Sequence, residues 1–198
     1  MPDGPLGCEA LAAPTGGLHA LLEFLRALPE RINAPILVTQ HLPAIFMPYF
    51  ARQLEGASGR AARVVKDGEL LADDVIHVAR GDAHLGVERN GAEVRVRLER
   101  RKAPSGCLPS ADPMLASVAE AYGEEGIGVV LSGMGRDGLI GARRLVQAGG
   151  AVLAQDRRSA AVWGMPRGIA ETGLASAVMA PADLARRIGG RAGAGARK

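Results

Sequence analysis

The sequence Ala-Ala-Pro-Thr-Gly-Gly at residues 12–17 decides how the rest of the chain is interpreted. It ends a short, Ala-rich candidate strand over 8–13, and it precedes residues 18–28, where leucines recur at helical spacing until a proline ends the run. A glycine-rich turn from a strand into a helix is where α/β proteins hold binding and catalytic groups. We therefore predict a strand, a functional loop and a helix, with Thr15 as a candidate helix cap.

The next segment repeats this order. Residues 35–39 form a continuous apolar run that predicts a buried strand, and it ends at Gln40 and His41. Residues 46–54 then have apolar side chains on one helical face, with a glycine beyond the end. Two consecutive strand–helix units favour a parallel sheet.

The middle of the chain predicts short strands over 62–65, 75–79, 83–88 and 92–98, separated by Asp-Gly, Gly-Asp and Asn-Gly turns. The Asn-Gly pair at 90–91 between alternating segments is a strong hairpin signal. We interpret this region as an antiparallel flap or sheet extension. A loop over 102–108 follows, and Ser110 is expected to cap a helix over 112–122.

Parallel architecture resumes after residue 127, with strands predicted over 128–131, 151–154 and 175–179 and helices over 139–148, 166–172 and 181–188. The predicted fold class is α/β, a doubly wound, mostly parallel sheet with an antiparallel hairpin extension. We expect one domain over 8–188 and a disordered basic tail over 189–198.

The charge and cysteine content exclude several functions. The net charge is +3, and Arg191, Arg197 and Lys198 in the tail account for it, so the remainder lacks the basic surface of a nucleic-acid-binding protein. No apolar run approaches membrane-spanning length. Cys8 and Cys107 lack the spacing of a zinc site or a disulfide framework, so we expect a cytoplasmic protein with no metal or other cofactor.

Three loops are candidates for chemistry because parallel strands carry their sites at their carboxyl ends. His41 is a candidate base and Asp137 a candidate orienting carboxylate, and the backbone at Met134 and Gly135 could stabilise an oxyanion. Taken singly, His41 is equally compatible with a structural histidine. Asp137 alone would favour a turn or cap residue, and the glycines at 16–17 alone would favour close packing.

Taken together, these segments resemble the catalytic domain of the chemotaxis receptor methylesterases. The matching stretches span most of the chain: 13–17 (APTGG), 40–43 (QHLP), 79–84 (ARGDAH), 109–112 (PSAD), 133–138 (GMGRDG) and 164–167 (GMPR). The resemblance implies hydrolysis of glutamate methyl esters on chemoreceptors by a Ser-His-Asp site, with glutamine deamidation as a further candidate reaction. It places the base at His41, the orienting carboxylate at Asp137 and an oxyanion-binding amide at Met134, with Gly135, Gly16 and Gly17 lining the cleft.

The nucleophile does not carry over. The family's serine falls on Pro14, which has neither a hydroxyl nor an N–H. The family also usually has His and Arg residues bordering the cleft before Pro109, where this chain has Gly106-Cys107-Leu108. We therefore expect an inactive or impaired domain that still binds the methylated cytoplasmic tail of a chemoreceptor.

Other hypotheses stay open. Thr15 could serve as a replacement nucleophile, although a capping or polar role is the more ordinary interpretation. Cys107 is a weaker candidate nucleophile, because an unreactive loop cysteine is the commoner case. A non-catalytic module that binds the receptor tail or a small ligand is the third hypothesis. Family members usually carry a receiver domain, for which residues before 12 leave no room.

Overall fold

The computed structural model describes residues 6–14 and 16–195, with side chains through Gly190. Its main feature is a seven-stranded sheet in the order β3-β4-β2-β1-β7-β8-β9, in which all neighbouring strands are parallel. The strands of this sheet are β1 (Cys8–Ala12), β2 (Ile36–Thr39), β3 (Ala62–Val64), β4 (Ile76–Val78), β7 (Gly126–Val130), β8 (Ala151–Gln155) and β9 (Ala175–Met179).

Helices cover both faces of the sheet, which makes the fold doubly wound. One hydrophobic core lies under three of them: α1 (Leu18–Ala27), α2 (Met47–Ser58) and α6 (Pro181–Gly195). The other core lies under the remaining three: α3 (Ala111–Tyr122), α4 (Leu139–Gln147) and α5 (Met165–Glu171). The predicted α/β class is confirmed. None of the helices in the described ranges is long and apolar enough to cross a membrane.

The antiparallel extension is confirmed only for its second half. Strands β5 (His84–Asn90) and β6 (Glu93–Glu99) form the predicted hairpin, with Gly91 at a φ of 62° in the turn. The prediction was wrong for β3 and β4, which pair with each other and with β2 in parallel register. Ile76 and Val78 are fully buried, and burial on both faces is the condition under which parallel strands form.

Two other predictions concern the ends of helices. Helix α1 has Gly17 as its N-cap residue, and Thr15, the predicted cap, lies outside the described residues. Helix α6 continues to Gly195, so the segment 189–195 is helical where a disordered tail was expected. A Cβ at Gly189 would lie 2.5 Å from the Pro29 ring, so the extended helix packs against the end of α1. The domain division at 188 stays a prediction.

Candidate active site

The three candidate loops meet at one edge of the sheet. β1 lies between β2 and β7, and the strand order reverses at this point, which is where doubly wound sheets open a crevice. The Ala13 N–H donates to the Thr39 carbonyl (3.1 Å) and the Leu131 N–H to the Ala12 carbonyl (2.9 Å). The loops that follow β1, β2 and β7 therefore begin side by side.

The loop after β1 packs directly on the loop after β7. A Cβ at Gly17 would lie 2.5 Å from the Ser132 carbonyl oxygen, and one at Gly133 would lie 1.9 Å from Pro14 Cγ. Pro14 is buried, and its carbonyl accepts a hydrogen bond from the Gly17 N–H (2.7 Å). Gly17 and Gly133 are required because any side chain at these positions would overlap atoms of the facing loop. The loop therefore holds Pro14 at the base of the crevice.

His41 and Asp137 form the central contact of the site. His41 follows β2 and Asp137 follows β7, and Nε2 of the imidazole lies 2.8 Å from Oδ2 of the carboxylate. Because an ionised carboxylate only accepts hydrogen bonds, Nε2 donates and Nδ1 of the neutral ring keeps its lone pair. This is the pairing that a general base needs, since the carboxylate fixes the tautomer. The structure thus brings these two predicted site residues into contact, and their catalytic roles stay predictions.

Asp137 accepts further hydrogen bonds from the start of α3. The Ser110 hydroxyl donates to Oδ1 (2.5 Å) and the Ala111 N–H to Oδ2 (2.8 Å). Burial alone would raise the pKa of Asp137, but the hydrogen bonds from His41, Ser110 and Ala111 outweigh it and hold the pKa below its usual value. The carboxylate is therefore charged, and its orientation is fixed from two sides.

His84 is a supporting residue whose role the sequence analysis did not assign. It is buried on β5, its Nδ1 accepts from the Ser110 N–H (2.9 Å), and its Nε2 contacts the Arg101 carbonyl (2.6 Å). A carbonyl only accepts, so Nε2 carries the proton and the ring is held in one tautomer. The stretches 79–84 and 109–112 were both recognised as motifs, but their contact with each other could not be deduced from sequence.

Cys107 lies next to the His41–Asp137 pair. Its Sγ, a ring nitrogen of His41 and a carboxylate oxygen of Asp137 all lie within 4.8 Å of one another. Burial raises the pKa of the Cys107 thiol, and the Asp137 carboxylate raises it further. The raised pKa keeps the free thiol protonated near neutral pH, which disfavours Cys107 as a thiolate nucleophile.

The predicted oxyanion segment borders the crevice. The Gly133 carbonyl accepts from the Met165 N–H (2.8 Å) and the Gly164 N–H (3.1 Å), which ties the loop to the start of α5. Gly135 has a φ of 89°, a conformation that favours glycine, and the Met134 side chain is 77% exposed. The oxyanion role of the Met134 amide, and the roles of Gly16 and Gly17, stay predictions.

The fold and the site define the class of protein: a doubly wound α/β domain with a hydrogen-bonded histidine–carboxylate pair at the switch point of its sheet. The family model for the CheB methylesterase matches residues 10–188. The chain belongs to the CheB methylesterase family, a family of carboxylic ester hydrolases.

The individual matches agree with this assignment. A protein-glutamate methylesterase/protein-glutamine glutaminase of Anaeromyxobacter dehalogenans is 48% identical over 94% of this chain and 54% of its own length. A second such protein, of Paramagnetospirillum magneticum, is 39% identical over 89% of this chain and 46% of its own length. The crystal structure of the Thermotoga maritima CheB methylesterase catalytic domain superposes with a TM-score of 0.89 at 31% identity, covering 92% of this chain and 97% of that one. The chain thus spans about half the length of these two curated relatives.

Proposed function

We propose that this chain is a methylesterase-family domain that has lost ordinary serine-dependent ester hydrolysis and retains a surface for the methylated cytoplasmic tail of a chemoreceptor. The observation that carries the proposal is the combination of an intact His41–Asp137 pair (2.8 Å) with a proline in the loop after β1. An acyl-enzyme cannot form on Pro14. Losing the nucleophile of a triad leaves only the weak catalysis of oxyanion and substrate binding.

Exposed apolar side chains near the site support the receptor-binding part. Directly after His41, the side chains of Ile45, Phe46 and Tyr49 are 73%, 53% and 65% exposed. Leu108 beside Cys107, and Met134 beside Gly135, are also exposed. We call these five residues the apolar rim. Exposed apolar groups concentrated around a crevice favour a protein segment as the ligand.

The first experiment measures methanol release from a methylated receptor fragment in a neutral, reducing buffer. The wild-type chain is expected to be at least about a thousandfold slower than an active family domain tested in parallel. Turnover within about tenfold of that active domain would disprove the loss of function. Any residual activity is then assigned with Thr15→Ala and Cys107→Ser, because these residues are the two remaining nucleophile candidates.

A second experiment tests receptor binding separately from chemistry. Fluorescence anisotropy of a labelled receptor fragment is expected to show binding that falls at least about tenfold in the variant Ile45→Ser/Tyr49→Ser, since apolar area at the centre of an interface dominates its affinity. The matched control is Val178→Ser, an exposed apolar residue on the edge strand β9. Equal losses in both variants, or no binding by the wild type, would contradict the proposed surface.

A further inference from the structure

We propose that His41, Cys107 and Asp137 form a binding site for a divalent transition metal of the zinc class, with one coordination position open. The three donor atoms lie within 4.8 Å of one another and come from three separate loops. A metal site could not be predicted from the sequence, because the two cysteines lack zinc-ligand spacing. Metal binding at these three side chains does not depend on the loss of the serine.

The donor set suits this class of metal. An imidazole nitrogen, a thiolate sulfur and a carboxylate oxygen are the three ligand types of zinc, and a catalytic zinc site takes three protein ligands and leaves the fourth position to water or substrate. Hard cations such as magnesium prefer oxygen ligands alone. Zinc–ligand bonds of about 2.0–2.3 Å place the donor atoms about 3–4 Å apart, so the ligands need to move by only about 1 Å.

The local charges favour the ion. A thiolate at Cys107 would face the negative charge of Asp137, and a divalent cation between them neutralises both groups. The His41 Nε2–H···Oδ2 contact is 2.8 Å long, and in the loaded site the metal takes the place of this shared proton. The ring proton then sits on Nδ1, so the imidazole stays neutral, and the thiol proton is the one released to solvent.

The surroundings hold the ligands and leave an approach to them. Ser110 and the Ala111 N–H fix the Asp137 carboxylate, and such outer contacts orient metal ligands in known sites. The Cys107 N–H donates to the Ser105 hydroxyl (3.3 Å), which positions the cysteine over the pair. A cavity of about 310 Å³ lined by Cys107, Asp137 and Met134 opens beside the cluster and provides room for a fourth ligand.

A metal bound here changes what the site can do. With the metal on Nε2 and the proton on Nδ1, His41 has no free lone pair and no longer accepts a proton from a hydroxyl. The open position can take a water molecule or a carboxylate oxygen. Cys107 lies in the segment where the family usually has His and Arg residues bordering the cleft. With this cysteine as a third ligand, the His41–Asp137 pair can bind a metal.

The experiment titrates the folded chain with Co²⁺ and follows its absorption. We expect one cobalt per chain with a thiolate-to-cobalt charge-transfer band, displaced by Zn²⁺. Cys107→Ser is expected to abolish that band, and His41→Gln to weaken cobalt binding at least about tenfold. Cys8→Ala is the matched control, because this other cysteine is buried in β1 and its replacement leaves the band unchanged.

The result that would overturn the proposal is a titration without a charge-transfer band, or a band that survives Cys107→Ser. Should a variant fail to fold, the wild type gives the same answer through alkylation. Zn²⁺ is expected to slow iodoacetamide modification of Cys107 at least about tenfold, and an unchanged rate would contradict the site. No ester is present in either measurement, so failure here is distinguishable from failure of the proposed loss of esterase function.

Discussion

The ring of Pro14 lies against the backbone of Gly133, so closely that a Cβ at position 133 would stand 1.9 Å from Pro14 Cγ and 2.8 Å from Cδ. This contact joins the end of β1 to the end of β7 at the base of the crevice. The proline is therefore a packed part of the site, and its consequences for packing and for chemistry can be measured separately.

Because the two residues are in contact, the effects on stability of substitutions at positions 14 and 133 should not be additive. Gly133→Ala is expected to destabilise the fold by roughly 1–3 kcal/mol, because the new methyl group overlaps the proline ring. Pro14→Ala removes the ring atoms, so the double variant should recover most of that loss. Urea unfolding of the four proteins in the cycle gives the coupling energy.

Gly168→Ala is the matched control for this cycle. Gly168 lies in α5 with open space where its Cβ would stand, so alanine there should leave stability unchanged or raise it by up to about 1 kcal/mol. Strictly additive effects at 14 and 133 would show that the contact does not exist in solution.

Glu9 predicts a pH dependence of stability. Burial raises the pKa of this carboxyl to about 8, with Arg60 lowering it only in part, and neither carboxylate oxygen has a hydrogen-bond partner among the described residues. Between about pH 4.5 and 8 the folded state holds a proton that the unfolded state has already released. The contribution of Glu9 to the free energy of unfolding is therefore full below about pH 4.5 and is lost as pH rises toward 8.

The measurement compares Glu9→Gln with the wild type. The free energy of unfolding should fall with pH between 5 and 8 more steeply in the wild type, by up to about 1.4 kcal/mol per pH unit. Glu30→Gln, which removes an exposed carboxylate just beyond α1, should keep the wild-type slope. Parallel curves for wild type and Glu9→Gln would refute the raised pKa.

Cys107 should be a slow thiol in the metal-free chain. Because burial and Asp137 both raise its pKa, its alkylation at pH 7 in the presence of a chelator is expected to be slower than that of a free cysteine, and to accelerate as pH rises. Asp137→Asn should speed the reaction at pH 7. Cys8 is fully buried and serves as the internal unreactive control. A rate above that of free cysteine would instead favour Cys107 as a nucleophile.

The sequence predicted the parts of this molecule that depend on local pattern. The strand–turn–helix around residues 12–17, the Asn90-Gly91 hairpin and the Ser110 cap of α3 each follow from short-range chemistry, and all three strands flanking the crevice were anticipated. The partners of β3 and β4 were wrong, because strand pairing is decided by long-range burial that a local pattern does not contain.

The candidate site could also be predicted only in part. His41 and Asp137 could be predicted because each follows a strand that ends at the same edge. The hydrogen bond from Ser110 to Asp137, its support by His84 and the approach of Cys107 depend on how loops fold over that edge. No periodicity marks such contacts, so they emerged only from the three-dimensional structure.

The central claim is that Pro14 removes the ordinary serine-dependent esterase chemistry, and Pro14→Ser tests it most directly. The serine would place a hydroxyl in the loop after β1, which begins next to the loop that carries His41, and Asp137 already orients His41. Methanol release from a methylated receptor fragment is measured in the presence of a chelator, with Pro14→Ala and Pro14→Ser/His41→Gln as controls. We predict a gain of roughly a hundredfold or more for Pro14→Ser alone, whereas equal rates for the serine and alanine variants would contradict the claim.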